Sequence, residues 1–313
     1  MSLDFLVLTL QATVQSGIPI LFATLGAILN ERAGVLNLGV EGMMIVGAFA
    51  GFLAAHSTGD PWVGVVAAGC AAAFMAALHG AVCLVFRGSQ VVSGLALTIL
   101  GTGLANFLGN PFNQTRIAWV PEKIAAFAPL PIPLLKDIPI IGPILFAQDA
   151  LVYLAYIAVP CVWFVLMRTR FGLALRAVGE NPKAVRTAGL SPLRLRWAGV
   201  LLGGFLAGVG GSYLSLVVMG QWVPDITAGR GWIAVALVIF AFWRPGRAMI
   251  GAFLFGGAWA MQSRLQALDL GIPSDYLTML PFVLTLLVLL LSSLGGRGRQ
   301  SPKALGVNLE PGD

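Results

Sequence analysis

Five stretches of this chain, residues 5–30, 61–86, 88–115, 197–224 and 276–296, contain no Asp, Glu, Lys or Arg. Each is long enough to cross a hydrocarbon layer, which takes about 20 helical residues. Residues 150–167 and 248–263 are likewise uncharged and nearly as long. Such solid apolar runs exclude a membrane β-barrel, whose strands alternate in short segments. They also exclude an ordinary soluble domain, in which apolar content is about 45–50%, whereas here it is 58% with 10% charged residues. The expectation is an all-α integral membrane protein: a polytopic bundle of about 8–10 transmembrane helices, some of them re-entrant or broken.

Charge and Gly/Pro punctuation place candidate spans at about 6–29, 37–56, 62–86, 91–110, 150–168, 197–218, 231–243, 248–268 and 276–294. The run 231–243 is short and flanked by Arg230 and Arg244, which points to a tilted or re-entrant helix. Span 37–56 carries Glu41, an acid that is costly in lipid unless it faces protein or water. The N-terminus lacks a basic n-region and its first apolar run is too long for a signal peptide, so it reads as a membrane helix.

Orientation follows from the basic residues. Seven of nineteen, Arg168, Arg170, Arg176, Lys183, Arg186, Arg194 and Arg196, fall in one short stretch interrupted by a single acid, Glu180. Short loops rich in Lys and Arg stay on the cytoplasmic side. With 168–196 inside, the turn Arg244-Pro245-Gly246-Arg247 and the tail with Arg297, Arg299 and Lys303 fall on the same side. Residues 111–149 are then external, and their seven prolines (Pro111, Pro121, Pro129, Pro131, Pro133, Pro139 and Pro143) predict an ordered loop or short broken helices. The chain reads as one membrane domain, 1–296, with a flexible cytoplasmic tail, 297–313. A pI near 9.7 is explained by these loops and calls for no nucleic acid.

Several chemistries are excluded. A Walker A loop needs Gly immediately before Lys, and none of the four lysines (Lys123, Lys136, Lys183 and Lys303) follows Gly. His56 and His79 lack metal-ligand spacing, and Cys70, Cys83 and Cys161 sit in apolar runs as small hydrophobes. No nucleophile–base constellation is present, so no catalytic residue, metal or cofactor is expected. Gly199 with Gly203, and Gly204 with Gly208, have the spacing that lets helices approach closely in lipid.

Two segments carry more. In Asn30-Glu31-Arg32-Ala33-Gly34-Val35-Leu36-Asn37-Leu38-Gly39-Val40-Glu41-Gly42, polar groups sit between two apolar runs. If 37–41 is helical, Asn37 and Glu41 share a face. They then line a cavity, or serve as structural hydrogen-bonding groups between helices. In Gly179-Glu180-Asn181-Pro182-Lys183-Ala184-Val185-Arg186-Thr187-Ala188-Gly189-Leu190, Asn181 suits an N-cap and Pro182 the first helical position. Gly189 then ends a helix of one to two turns as a C′ glycine. Topology explains the charge of this loop but not its caps.

The Gly-Glu-Asn-Pro-x-Ala-x-x-x-x-Gly pattern resembles the cytoplasmic coupling loop of ABC importer permeases of the branched-chain amino acid, ribose and nucleoside superfamily. The Asn30–Gly42 segment, Thr227-Ala228-Gly229-Arg230-Gly231-Trp232 and Trp243-Arg244-Pro245 are similar to the nucleoside/simple-sugar branch. The resemblance implies a non-catalytic, multi-pass subunit of a bacterial inner membrane, translocating nucleosides or related solutes. Its partners would be a cytoplasmic ATPase, a second permease in a heterodimer, an external binding lipoprotein and the surrounding lipid. Within the coupling loop 169–196, Gly179, Glu180, Asn181, Ala184 and Gly189 would form the segment that docks on the ATPase, with Arg186 as a charged contact. Asn30, Glu31, Asn37, Glu41, Asn106 and Gln221 are the candidate polar groups of the pathway. Monosaccharides and riboflavin-like solutes are the neighbouring substrate classes, and a stand-alone secondary transporter with Glu41 as an ion or proton relay is the alternative of a different kind.

Overall fold

The computed structural model describes residues 3–109, 127–267, 273–294 and 301–309. Among these the chain is helical and has no strand. Helices α1 (Leu3–Arg32), α2 (Val40–Thr58), α3 (Pro61–Gly80), α4 (Gln90–Gly109), α5 (Ala150–Arg168) and α8 (Pro192–Tyr213) form the long apolar set. Six are long and apolar enough to span a bilayer, α3 and α8 extended by π-helical turns to Val85 and Val218. Between α5 and α8 lie α6 (Arg170–Glu180) and α7 (Pro182–Thr187). After α8 come α9 (Arg230–Phe240), α10 (Pro245–Ala267), α11 (Ser274–Thr278) and α12 (Leu280–Leu294).

The eleven residues of α9 rise about 16 Å at roughly 1.5 Å each, about half of a 30 Å hydrocarbon core. Its first turn packs on Glu41 at the start of α2, and the chain just past its end meets Glu31 and Arg32 at the end of α1. It is a half-helix, as the short run between two arginines predicts. The span expected at 276–294 is broken at Met279 into α11 and α12.

Helix α8 is the axis of the bundle, packed on α1, α2 and α3. Its glycines serve two faces. A side chain at Gly203 would enter the Asn30 side chain and one at Gly199 would meet Ala33 just past the end of α1, whereas one at Gly204 would press Ala76 and the Ala72 carbonyl of α3. In lipid, where burial from water does not drive association, such close approach supplies the van der Waals contact that holds helices together. The small-residue spacing is thus a two-sided packing surface.

Residues 127–149 form an ordered loop. Leu130 N–H donates to Gln148 O and Ile132 N–H to Phe146 O, at 2.8 and 2.9 Å. Asp149 caps α5 through the amides of Leu151 and Val152 and accepts the hydroxyl of buried Tyr213 at 2.8 Å, which fastens the loop to α8. Pro111 and Pro121 lie outside the described residues. At the opposite end, residues 301–309 of the segment expected to be a flexible tail are packed on the bundle, with Pro302, Ala304 and Leu309 buried; residues 297–300 and 310–313 lie outside the described residues. Their main anchor is Arg196, which is not an aqueous member of the basic loop but fully buried (0% exposed) in the first turns of α8.

Candidate functional site

The basic loop is built from capped helices. Thr169 Oγ1 accepts from Gly172 N–H and starts α6, and Asn181 Oδ1 accepts from Ala184 N–H at 3.1 Å and starts α7. Pro182 occupies the first turn of α7, and Gly189, at φ +78°, follows its end in the left-handed region. Ser191 caps α8 through the Arg194 amide. Glu180, Asn181, Ala184, Arg186 and Gly189 are exposed, whereas Val185 is buried as the anchor of α7. Gly179 is buried because a side chain there would strike the Arg32 carbonyl. Between α6, α7 and α8 lies an apolar cavity of about 590 Å³, with Phe171, Ala177, Ala184, Val185 and Leu195 in its wall. Helix α7 carries Lys183 and Arg186 and is capped by Asn181, with Glu180 ending α6 just before it.

The second cluster is made by the two buried acids. Glu41 meets three donors from the start of α9: Thr227 Oγ1 at 2.5 Å, Gly229 N–H at 2.8 Å and Gly231 N–H at 2.6 Å. Its carboxylate therefore caps a half-helix on a different part of the chain, filling orphan N–H positions that the glycine N-cap leaves open. Gly231 is required here, since a side chain would meet the Glu41 backbone at 2.5 Å. Arg230, also buried, donates to the Ile226 and Thr227 carbonyls and lies 4.0 Å over the Trp259 ring. Glu31 accepts the Trp243 indole N–H at 2.7 Å, and Arg32 donates to the Trp243 carbonyl. The two acids thus clamp both ends of α9 to the α1–α2 corner.

Asn37 does not share a helical face with Glu41. Helix α2 begins at Val40, because the Asn37 side chain folds back to accept the Gly39 amide at 2.8 Å and holds residues 37–39 in a turn. Asn30 is buried against Gly203, and its amide N and O have no hydrogen-bond partner among the described residues. Asn106 and Gln221 are separate from this cluster. Asn106 donates to Asp225 at 2.8 Å and accepts the Asp225 amide, fixing the descending segment before α9 to α4; Gln221 is half-buried. The six candidates therefore do not share one site: Glu41 and Glu31 bind opposite ends of α9, Asn30 packs against Gly203 of α8, Asn37 closes its own turn, and Asn106 and Gln221 lie elsewhere. Periodicity did not reveal Thr227, Gly229, Gly231 and Trp243 as partners of the acids; the available signal was that they fall in the segments 227–232 and 243–245, which share the family resemblance with Asn30–Gly42.

Fold and site together define a polytopic, all-α membrane protein whose basic loop carries a short capped helix. The chain belongs to the family described as the branched-chain amino acid transport system / permease component, which matches residues 9–289. It is a multi-pass ABC transporter permease. Among curated relatives, it is 37% identical to the nucleoside ABC transporter permease protein NupC of Lactococcus lactis, over 93% of this chain and 92% of that one. It is 34% identical to the guanosine ABC transporter permease protein NupQ of Bacillus subtilis, over 95% and 94%. It is 46% identical to TsgC13 of Haloferax volcanii, named provisionally as a glucose ABC transporter permease, over 84% and 79%. No solved structure matches the chain significantly.

Proposed function

We propose that this chain is the non-catalytic permease subunit of an ATP-driven importer for nucleosides or related small solutes, taking ligand from an external binding protein. The observation that carries the substrate class is the near end-to-end similarity to two nucleoside-type permeases, 37% and 34% identical. ATP hydrolysis takes place on a separate cytoplasmic chain, in keeping with the lack of a Walker A lysine here. A second, homologous permease completes the pathway. Closure of the ATPase pushes α7 through Glu180, Asn181, Ala184 and Arg186, and the bundle switches from outward- to inward-facing access. The buried anchor Val185 and the caps at Asn181 and Gly189 support this role, because they keep α7 rigid under load.

Two other readings have specific bearings. The 46% identity to a protein named for glucose favours a monosaccharide as the second substrate class. A lone secondary transporter using Glu41 as a relay is disfavoured, since three protein donors already occupy that carboxylate. The test is uptake of labelled adenosine, uridine and glucose in cells lacking the gene, with and without the wild-type copy. Restored adenosine or uridine uptake is expected. Restoration of glucose uptake alone would replace the nucleoside assignment with the monosaccharide one.

A further inference from the structure

Residues 301–309 run across the basic end of the bundle and join segments that are far apart in sequence. Ala304 N–H donates to the Gly179 carbonyl at 2.8 Å, immediately before Glu180 and the Asn181 cap of α7. Arg196, on the other side of α7, donates through Nη1 to Val307 O at 2.7 Å and through Nη2 to Ala304 O at 3.4 Å. The same segment therefore grips the coupling loop on both flanks. Its far end reaches the other half of the bundle. Asn308 Nδ2 donates to the Arg87 carbonyl at 2.7 Å and the Gly88 carbonyl at 3.1 Å, in the turn between α3 and α4. Asn308 Oδ1 accepts from Gln90 Nε2 at 3.1 Å, and Gln90 Oε1 in turn accepts the Leu36 amide at 2.7 Å.

The chemistry of these contacts matters. A fully buried guanidinium needs acceptors, and the segment supplies backbone carbonyls that lie nowhere near Arg196 in sequence. Removing the segment would take these two acceptors from a buried guanidinium, so its seating is specified. Gly34, at φ +81°, lies against the Ala304 carbonyl and Gly179, so the corner leading to Glu41 is in direct contact with the same segment.

We propose that residues 301–309 are a positioning strap, with Asn308 and Arg196 as its positioning residues, that carries displacement of the coupling loop to the 33–37 and 87–90 turns. The proposal rests on the reading of 181–189 as the coupling helix. The coupling loop already touches the end of α1 where Gly179 packs on the Arg32 carbonyl and Gly34; the strap adds a second link, to the 87–90 turn and through Gln90 to Leu36. Through both links, movement reaches the turn that precedes Glu41 and hence the foot of the half-helix α9.

The test is Asn308→Ala, which removes the tie to the α3–α4 turn and leaves the Gly179 and Arg196 contacts in place. Hydrogen exchange on the purified permease reads amides of 33–37, 87–90 and 182–190. From the usual worth of one or two hydrogen bonds, exchange at 33–37 and 87–90 should rise about three- to tenfold. A second variant, a chain ending at Gln300, should also raise exchange at 182–190. Reconstituted with its partner chains, Asn308→Ala should keep basal ATP hydrolysis but move less solute per ATP, a ratio that simple loss of folded protein does not change. Faster exchange confined to 301–309, or an unchanged solute-to-ATP ratio, would overturn the strap. Should wild-type protein show no ATP-driven uptake of any tested solute, the importer reading falls, while the exchange result still judges the mechanical link.

Discussion

Glu41→Gln is the sharpest probe of the corner between α2 and α9. The amide keeps the shape of the side chain but replaces one acceptor oxygen with a donor. Oε1 serves Thr227 and Gly229, and Oε2 serves Gly231. Whichever way the amide turns, an NH2 group faces an N–H or O–H, and the least damaging choice sets it against Gly231 N–H across 2.6 Å. Hydrogen bonds to charged groups contribute about 1.5–3 kcal/mol each, and a buried donor left unpaired costs about 1–3 kcal/mol. The charge also interacts with the positive end of α9, a term of up to about 2 kcal/mol in partly buried settings. Allowing for overlap between these terms, the substitution should destabilise by about 2–4 kcal/mol. At about 2–4 °C per kcal/mol for a large domain, the midpoint should fall by at least about 4 °C. The assay is thermal unfolding of purified wild type and variant in the same detergent, followed by size exclusion. A variant that melts with the wild type would refute the capping role. If it also lost transport, the relay reading would regain its place.

Three further outcomes follow from the same contacts. Trp243→Phe keeps an aromatic, though smaller, ring but removes the indole donor to buried Glu31, so it should cost about 1–3 kcal/mol and be read as a lower unfolding midpoint. Gly204→Ala places a methyl group against Ala76 and the Ala72 carbonyl, and overpacking of this kind costs about 1–3 kcal/mol; the folded yield in membranes should drop, whereas Gly103→Ala, which meets nothing within 4 Å, should leave it unchanged. Asn181→Ala removes the α7 cap and should lose about 1 kcal/mol of local stability, seen as faster exchange of the Ala184 amide with no change in overall melting.

The membrane architecture was legible because hydrocarbon imposes a length and a composition on each crossing, which the uncharged runs at 61–86 and 88–115 display directly. The α7 helix was legible for a different reason. Its caps are local: Asn181, Pro182 and Gly189 act within eight residues of one another, and the structure reproduces each in its expected position. The Glu41 site was only half legible. An acid in an apolar run announces that it needs partners, but Thr227, Gly229 and Gly231 lie 186–190 residues away, and no periodicity connects them. Asn37 misled because helical spacing was applied to a residue whose own side chain closes a turn onto Gly39. Arg196 and the 301–309 segment were hidden for a related reason. A Gly- and Pro-containing stretch reads as loose unless its backbone is wanted elsewhere, and here a buried guanidinium and the Asn308 amide fasten it.

The importer reading depends above all on coupling through the loop that ends α6 and begins α7. Glu180 is exposed, makes no contact needed for folding among those described, and sits between the Gly179 anchor and the Asn181 cap. The direct measurement is labelled-nucleoside uptake by cells lacking the gene that express wild type or Glu180→Arg at equal membrane levels. Uptake restored by wild type and abolished by Glu180→Arg, with the variant still folded, is the predicted result. Equal uptake by both would contradict coupling through this helix.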